Sequence, residues 1–201
     1  MQPSMNPHAQ RRLRRHLAGW ALACTAALWL EAGITAPAAA QNAAPSTPLE
    51  RRVKAAFLYK FLGYAEFPAN AFADAGAPLT IGVVDADDVA VALARIVVGR
   101  TAGNRGITVH ILRESEIGTP MHMLFVGGQD AGRVSRLLRQ ANTLLAVTEC
   151  DKVLPQGSAI NFRIIDDRVR FDVALDAAEK NGIKLSSRLL AVANRVQKGA
   201  Q

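Results

Sequence analysis

The spacing of hydrophobic positions changes character along the chain, and each change marks an element. From Val53 the apolar residues Ala56, Phe57, Phe61 and Tyr64 recur three or four apart, the period of one helix face, while Arg51, Arg52, Lys54 and Gly63 fall elsewhere. Thr47-Pro48-Leu49-Glu50 precedes them as a capping box with proline at the first helical position, so the helix is predicted to start there and to stop before Pro68. LTIGVV (Leu79 to Val84) is an unbroken β-branched run between Pro78 and Asp85, the signature of a buried strand. DDVAVALARIVVG then returns to helical spacing through Val89, Leu93, Ile96 and Val97, with acids at its start and Gly99 to stop it.

Gly106 to Leu112, Met121 to Gly128 and Thr143 to Glu149 read as three further strands. Between the last two, Asp130 can cap a helix that turns Val134, Leu137, Leu138 and Ala141 inward and Arg133, Arg136 and Arg139 to water. The period then falls to two: SAINFRII and RVRFDVAL alternate apolar with polar and are joined by Asp166-Asp167, which predicts an antiparallel hairpin. Two helices close the chain, Asp176 to Asn181, ended by Gly182, and Ser186 to Gln197, capped by Ser186 or Ser187. The order implies a single α/β domain with a mixed, mostly parallel sheet, helices on both faces and a C-terminal hairpin.

The first 40 residues read differently. Arg11, Arg12, Arg14 and Arg15 precede an apolar run from Leu17 to Leu30, and Ala38-Ala39-Ala40 offers a cleavage site, so residues 1–40 are expected to be an export signal and 41–47 a linker to a domain at 48–198. Glu31, Gly33 and Pro37 interrupt the run before the roughly 20 residues a membrane span needs, and no span is expected in the mature chain. Setting aside the signal's four arginines and one glutamate leaves 20 basic and 16 acidic residues, a net charge of +4 rather than +7. No Lys/Arg block with interleaved aromatics remains, so nucleic acid is not an expected partner. Cys24 leaves with the signal and Cys150 is then alone, so stability must come from packing. Cys150 is read as an inert thiol at a strand end, with redox chemistry or intermolecular pairing as its alternative.

Catalytic readings find little to hold. Asp85, Asp87 and Asp88 follow a strand as in a phosphoreceiver, but no aspartate ends the candidate central strand, and helix capping explains them. Gly127-Gly128 could hold an anion before a helix, yet the phosphate-binding glycine spacing and lysine are missing. His110 and His122 lie inside strands without a companion ligand, and Ser186-Ser187 has no nucleophile elbow. No catalytic, cofactor or metal residue is assigned.

Several segments taken together resemble one family: VKAAFLYKFLGYAEFP, HMLFVGG, LLAV followed by QGSAINF, and VRFDVALDAAEKNGIKLSSRLLAVANRV. They are similar to the YfiR family, whose pattern pairs an aromatic KFxxYxxWP start with a closing G-I-x-x-SSxLLxLA, and the likeness spans Val53 to Gln197. The resemblance implies a periplasmic, non-catalytic, dimeric regulator. Such a protein binds the periplasmic sensor domain of an inner-membrane diguanylate cyclase and keeps cyclic-di-GMP and biofilm formation low. It also implies redox-sensitive disulfides, but Phe67 stands for the usual tryptophan, Met121 for a common cysteine and Ala174 for a frequent asparagine, and one cysteine cannot close an internal bridge. The alternative is a periplasmic binding protein or enzyme using a crevice at the strand ends.

Five of the eleven aromatic residues lie between Val53 and Pro68. Phe57, Phe61 and Tyr64 are expected in the core. Tyr59, Leu62, Tyr64, Glu66 and Phe67 form the expected partner or dimer surface, since aromatic residues beside charges are what interfaces favour.

Overall fold

The computed structural model describes residues 47–198. The expected export signal, Cys24 and the linker up to Ser46 lie outside the described residues. Thr47, counted with the linker, caps α1 (Pro48–Tyr64) by accepting the N–H of Glu50 at 3.1 Å. The chain continues as β1 (Ala65–Glu66), a 3-10 turn, β2 (Leu79–Val84), α2 (Asp87–Val97), β3 (Thr101–Ala102) and β4 (Arg105–Ile111). A second 3-10 turn leads to β5 (Met121–Val126), α3 (Ala131–Gln140) and β6 (Thr143–Thr148). The hairpin β7 (Ile160–Ile165) and β8 (Arg168–Ala174) follows, then α4 (Leu175–Lys180), β9 (Lys184–Leu185), α5 (Ser187–Val192) and β10 (Arg195–Gln197). No helix among the described residues is long and apolar enough to cross a membrane.

The sheet runs β10-β8-β7-β6-β5-β2-β4-β3. Its centre, β4 to β7, is parallel, and β7 and β8 form the expected antiparallel pair. Asp166 and Asp167 both have positive φ, 49° and 56°, the handedness a two-residue turn needs to match the twist of its strands. Alternate side chains face opposite layers. Ile81, Val83, Met123, Phe125, Leu145 and Val147 meet α1 and α2, whereas Val84, Leu124 and Val126 meet α3 through Val134 and Leu137. Both faces are therefore covered, and the mixed α/β architecture is the expected one.

Three expectations are corrected. The buried residues of α1 are Lys54, Ala55, Leu58, Phe61 and Leu62; of the expected face Phe61 is among them, while Val53, Ala56 and Phe57 are half-buried and Tyr64 is exposed. The helix has two apolar stripes, and periodicity alone cannot choose between them. A cluster of rings decides: Phe61 packs on Phe162 and Phe171 at 5.7 and 5.1 Å between centroids. Second, the closing helix stops at Val192, because Asn194 donates its backbone N–H to Phe171 and its side chain to Asp172, turning Arg195–Gln197 into a strand parallel to β8. Third, β1, β3 and β9 have no signal in the sequence. β1 and β9 pair only because segments far apart in the chain meet, whereas β3 pairs locally with β4 across a turn at Gly103-Asn104.

Candidate functional site

The helix-to-loop segment after Leu62 and the segment before α5 lie more than a hundred residues apart, and the fold joins them. Ala65 pairs with Leu185 and Glu66 with Lys184, and Ser186 donates its N–H to the carbonyl of Tyr64 at 2.9 Å. Beneath this small sheet lies an open pocket of about 460 Å³, lined by residues 62–67, Phe72, Leu79, Ala102, Gly103, Arg105 and residues 184–186. It sits at the N-terminal ends of β2 and β4. Four of the five residues expected at a partner surface, Leu62, Tyr64, Glu66 and Phe67, are brought together here.

The pocket's aromatic wall is held from behind. Phe72 stacks on His122 at 4.6 Å and 20°, and Phe67 meets both rings edge-on at 6.3 and 6.0 Å. The Arg105 guanidinium lies 3.7 Å from the Phe72 centroid while donating to the carbonyls of Asp74 and Ala77. His122 Nδ1 meets Thr80 at 2.8 Å and Nε2 meets the carbonyl of Ala71 at 3.1 Å. Burial is the main cause that lowers its pKa, the Ala71 carbonyl opposes this, and the Arg105 charge adds to the fall. Arg105 and Phe72 had no signal in the sequence, since neither belongs to a periodic pattern.

Two of the expected contact residues are placed otherwise. Leu62 is 3% exposed and belongs to the core, so it is not available to a partner. Tyr59 is half-buried beside α2, with its hydroxyl donating to the Thr101 carbonyl at 3.3 Å and Arg100 over its ring at 5.4 Å. Tyr64 and Glu66 are exposed, and Phe67 is half-buried. Glu66 and Lys184 form an open ion pair of 3.7 Å at the rim. The hydroxyl of Ser186 is engaged in capping α5, accepting the N–H of Leu189 at 3.3 Å.

The opposite end of the sheet, at the C-terminal tips of β2, β5 and β6, is where an open α/β sheet keeps its ligand crevice. Here the chain's own charges line the tips, and an open pocket of about 1030 Å³ lies beside them at the ends of β2 and β4, lined by Asp85, Asp88, Arg113 and Glu114 among others. Gly128 donates its N–H to Glu149 at 3.0 Å, and the other carboxylate oxygen of Glu149 accepts from Lys54 at 2.7 Å. Lys54 also bonds Glu50 and is only 3% exposed, although it falls off the helix face expected to be apolar. Burial acts to lower its pKa, but the charges and hydrogen bonds of Glu149 and Glu50 prevail and raise it. Arg133 bridges Asp85 and Glu114 nearby. A Cβ at Gly127 would strike the carbonyl of Asp85, so only glycine allows β2 and β5 to end this close.

Cys150 lies at the same end, in surroundings that suit the inert-thiol reading better than the redox alternative. It is 1% exposed, its Sγ donates to the Gly128 carbonyl at 3.3 Å, and burial first, then the neighbouring Glu149, Asp130 and Asp151, push its pKa up to about 11. Asn161 fastens its backbone from both sides, at 2.8 Å each way, and accepts from Thr148. A thiol so enclosed is not presented to a second chain in this conformation. His110 and His122 stand on β4 and β5 with β2 between them, and among the described residues no group of three or more His, Cys, Asp or Glu could hold a metal ion.

A family model described as YfiR/HmsC-like matches residues 51–194, most of the chain and nearly all of the described domain. No curated protein matches the chain.

Proposed function

The chain belongs to the YfiR/HmsC-like family of periplasmic regulators, and on that premise we propose that it acts by binding the periplasmic sensor domain of an inner-membrane diguanylate cyclase. In this reading it holds the cyclase inactive and lowers cyclic-di-GMP and biofilm formation. The observation that carries the reading is the aromatic pocket where the two segments of the family resemblance meet: Tyr64 and Glu66 are exposed at its mouth, with Phe67 half-buried beside them. An exposed ring beside a charge suits a protein contact better than catalysis, because no nucleophile and base face each other there. The contact residues are Tyr64, Glu66 and Phe67, with Tyr59 at the edge, and a homodimer is part of the proposal.

Repression by binding requires a difference in affinity. A partner that bound active and inactive cyclase equally would shift nothing, and moving a 1:99 equilibrium to 99:1 takes a preference of about 10⁴-fold. At the strand ends of the alternative reading Lys54, Glu149, Arg133 and Asp85 are engaged in ion pairs and hydrogen bonds, and the pocket beside them, lined by Asp85, Asp88, Arg113 and Glu114, is the place a substrate would have to use. Co-expression with the membrane cyclase tests the proposal. The wild-type chain is expected to co-purify with it, and a Tyr64→Ala, Glu66→Lys variant to melt as the wild type does and be lost from the complex. Undiminished co-purification of that variant would remove the pocket mouth from the reading. Unchanged cyclic-di-GMP after deletion of the protein would remove the reading itself.

A further inference from the structure

α1 is apolar on two sides, and only one is fully buried in the core, although Phe57 on the other also touches the rings of Phe162 and Phe171. Its outer stripe, Leu49, Val53, Ala56 and Phe57, is half-buried or exposed, with Leu49 at 69%. Together with Ala92 and Ile96 of α2 it forms an open groove of about 610 Å³. The charged residues on the lining are Arg52, Lys60 and Arg95, all exposed, with no carboxylate among them. Among the described residues none of the three takes part in an ion pair, although Arg51 and Lys54 on the same helix each have acidic partners. An apolar floor with a rim of unanswered positive charge is a surface complementary to something apolar and acidic.

We propose that the groove between α1 and α2 is a docking site for an amphipathic helix of another protein, with an apolar stripe of about three turns flanked by Asp or Glu. The length follows from the groove, since Leu49 to Lys60 spans about 16 Å at helical rise. The shape follows from helix packing: Leu49, Val53 and Phe57 form an i, i+4 row beside the groove, and a row on the incoming helix would lie between it and α2. The charge follows from the rim, where facing carboxylates would meet Arg52 and Lys60 on one side and Arg95 on the other. A second copy of this chain is disfavoured, because a twofold contact sets the patch against itself and would oppose cations to cations. A lipid surface is disfavoured by the concave shape, which seats the floor behind its charged rim. The proposal shares with the function above only that the occupant is a protein.

The test uses the purified protein and a labelled peptide of about 18 residues, five helical turns, with leucines at i, i+3, i+4 and i+7 and glutamates beside them. Its control carries lysines in place of the glutamates. By fluorescence anisotropy the acidic peptide is expected to bind at least about tenfold tighter than the control, and less tightly as salt is raised. Combined Arg52→Glu, Lys60→Glu and Arg95→Glu substitutions should reverse the preference without changing the melting temperature, and Leu49→Ser should weaken binding while the fold persists. The inference is overturned if neither peptide binds, if both bind equally, or if charge reversal has no effect. It is equally overturned if phosphatidylglycerol vesicles bind through these residues while the peptide does not, or if Leu49→Ser abolishes a self-association that the wild type shows. Failure here is distinguishable from failure of the function above: co-purification with the cyclase but indifference to the acidic peptide defeats the groove alone, and the converse result defeats the cyclase reading alone.

Discussion

The two ends of the central sheet have opposite characters. At the C-terminal tips of β2, β5 and β6, where related architectures hold substrates, the chain has inserted its own ions: Lys54 with Glu149, and Arg133 with Asp85 and Glu114. At the N-terminal ends of β2 and β4 an aromatic pocket stays open, built from Phe67 and Phe72 and backed by His122. The difference teaches that one sheet can use its two ends differently: charge pairs hold together the tips of β2, β5 and β6, while rings line the pocket at the other end. Apolar surface available for recognition lies at the opposite end and along the outer side of α1.

The largest effect should come from removing what anchors α1 between the two ends. Phe61 is fully buried among Phe57, Phe162 and Phe171, and Phe61→Ala should cost about 3–5 kcal/mol, read by denaturant unfolding. If the loss were under about 1 kcal/mol, the packing of α1 described here would be wrong.

Next in size is the charge-paired end. Lys54→Met should destabilise by about 1–3 kcal/mol, less than a fully buried charge would cost because Glu149 and Glu50 retain some solvent contact. Partner binding should be unaffected. The folded-state pKa of Lys54 is raised, so its contribution is fully present below the unfolded lysine value of about 10.4 and is lost as pH rises through the folded value. Above that pH the wild type should therefore lose stability more steeply than the variant. Parallel alkaline profiles would show that the ion pair does not hold this end together.

The open end should respond to acid instead. His122 has a lowered pKa in the folded protein, so the unfolded chain takes up its proton first. Its contribution is complete above the ordinary histidine value of about 6.5 and declines as pH falls toward the folded value. His122→Gln should flatten the fall in melting temperature over that window. An unchanged slope would assign the acid response to other groups. The smallest effect on stability is expected from Tyr64→Ala, within about 0.5 kcal/mol because the ring is already 37% exposed. Its measurable consequence is on co-purification with the cyclase, and a large loss of stability would move Tyr64 from the contact surface into the fold.

Legibility in the sequence followed the range of the interactions. LTIGVV was read to its exact ends, and the Asp166-Asp167 turn was read correctly, because a β-branched run and a two-residue turn express themselves within a few neighbours. α1 was located correctly but its face only in part: Phe61 is core as expected, while Val53, Ala56 and Phe57, as apolar as Ala55, Leu58 and Leu62, are only half-buried. The stripe mistaken for core is the one that lines the outer groove. The burial of Lys54 was not legible for a related reason: a lysine is solvent-facing by default, and only Glu149, 95 positions away, makes burial tolerable.

The amino-acid sequence by itself determined the place of the long helices and strands, the hairpin, the family and the single cysteine of the described domain, because caps, periodicity, turn residues and cysteine count are local or compositional properties. Tertiary structure alone decided which side of α1 is core, which end of the sheet is held by charge pairs, and that residues near Tyr64 and Leu185 share one pocket. Each of those outcomes depends on contacts between segments far apart in the chain, whose energies exist only once the segments have met.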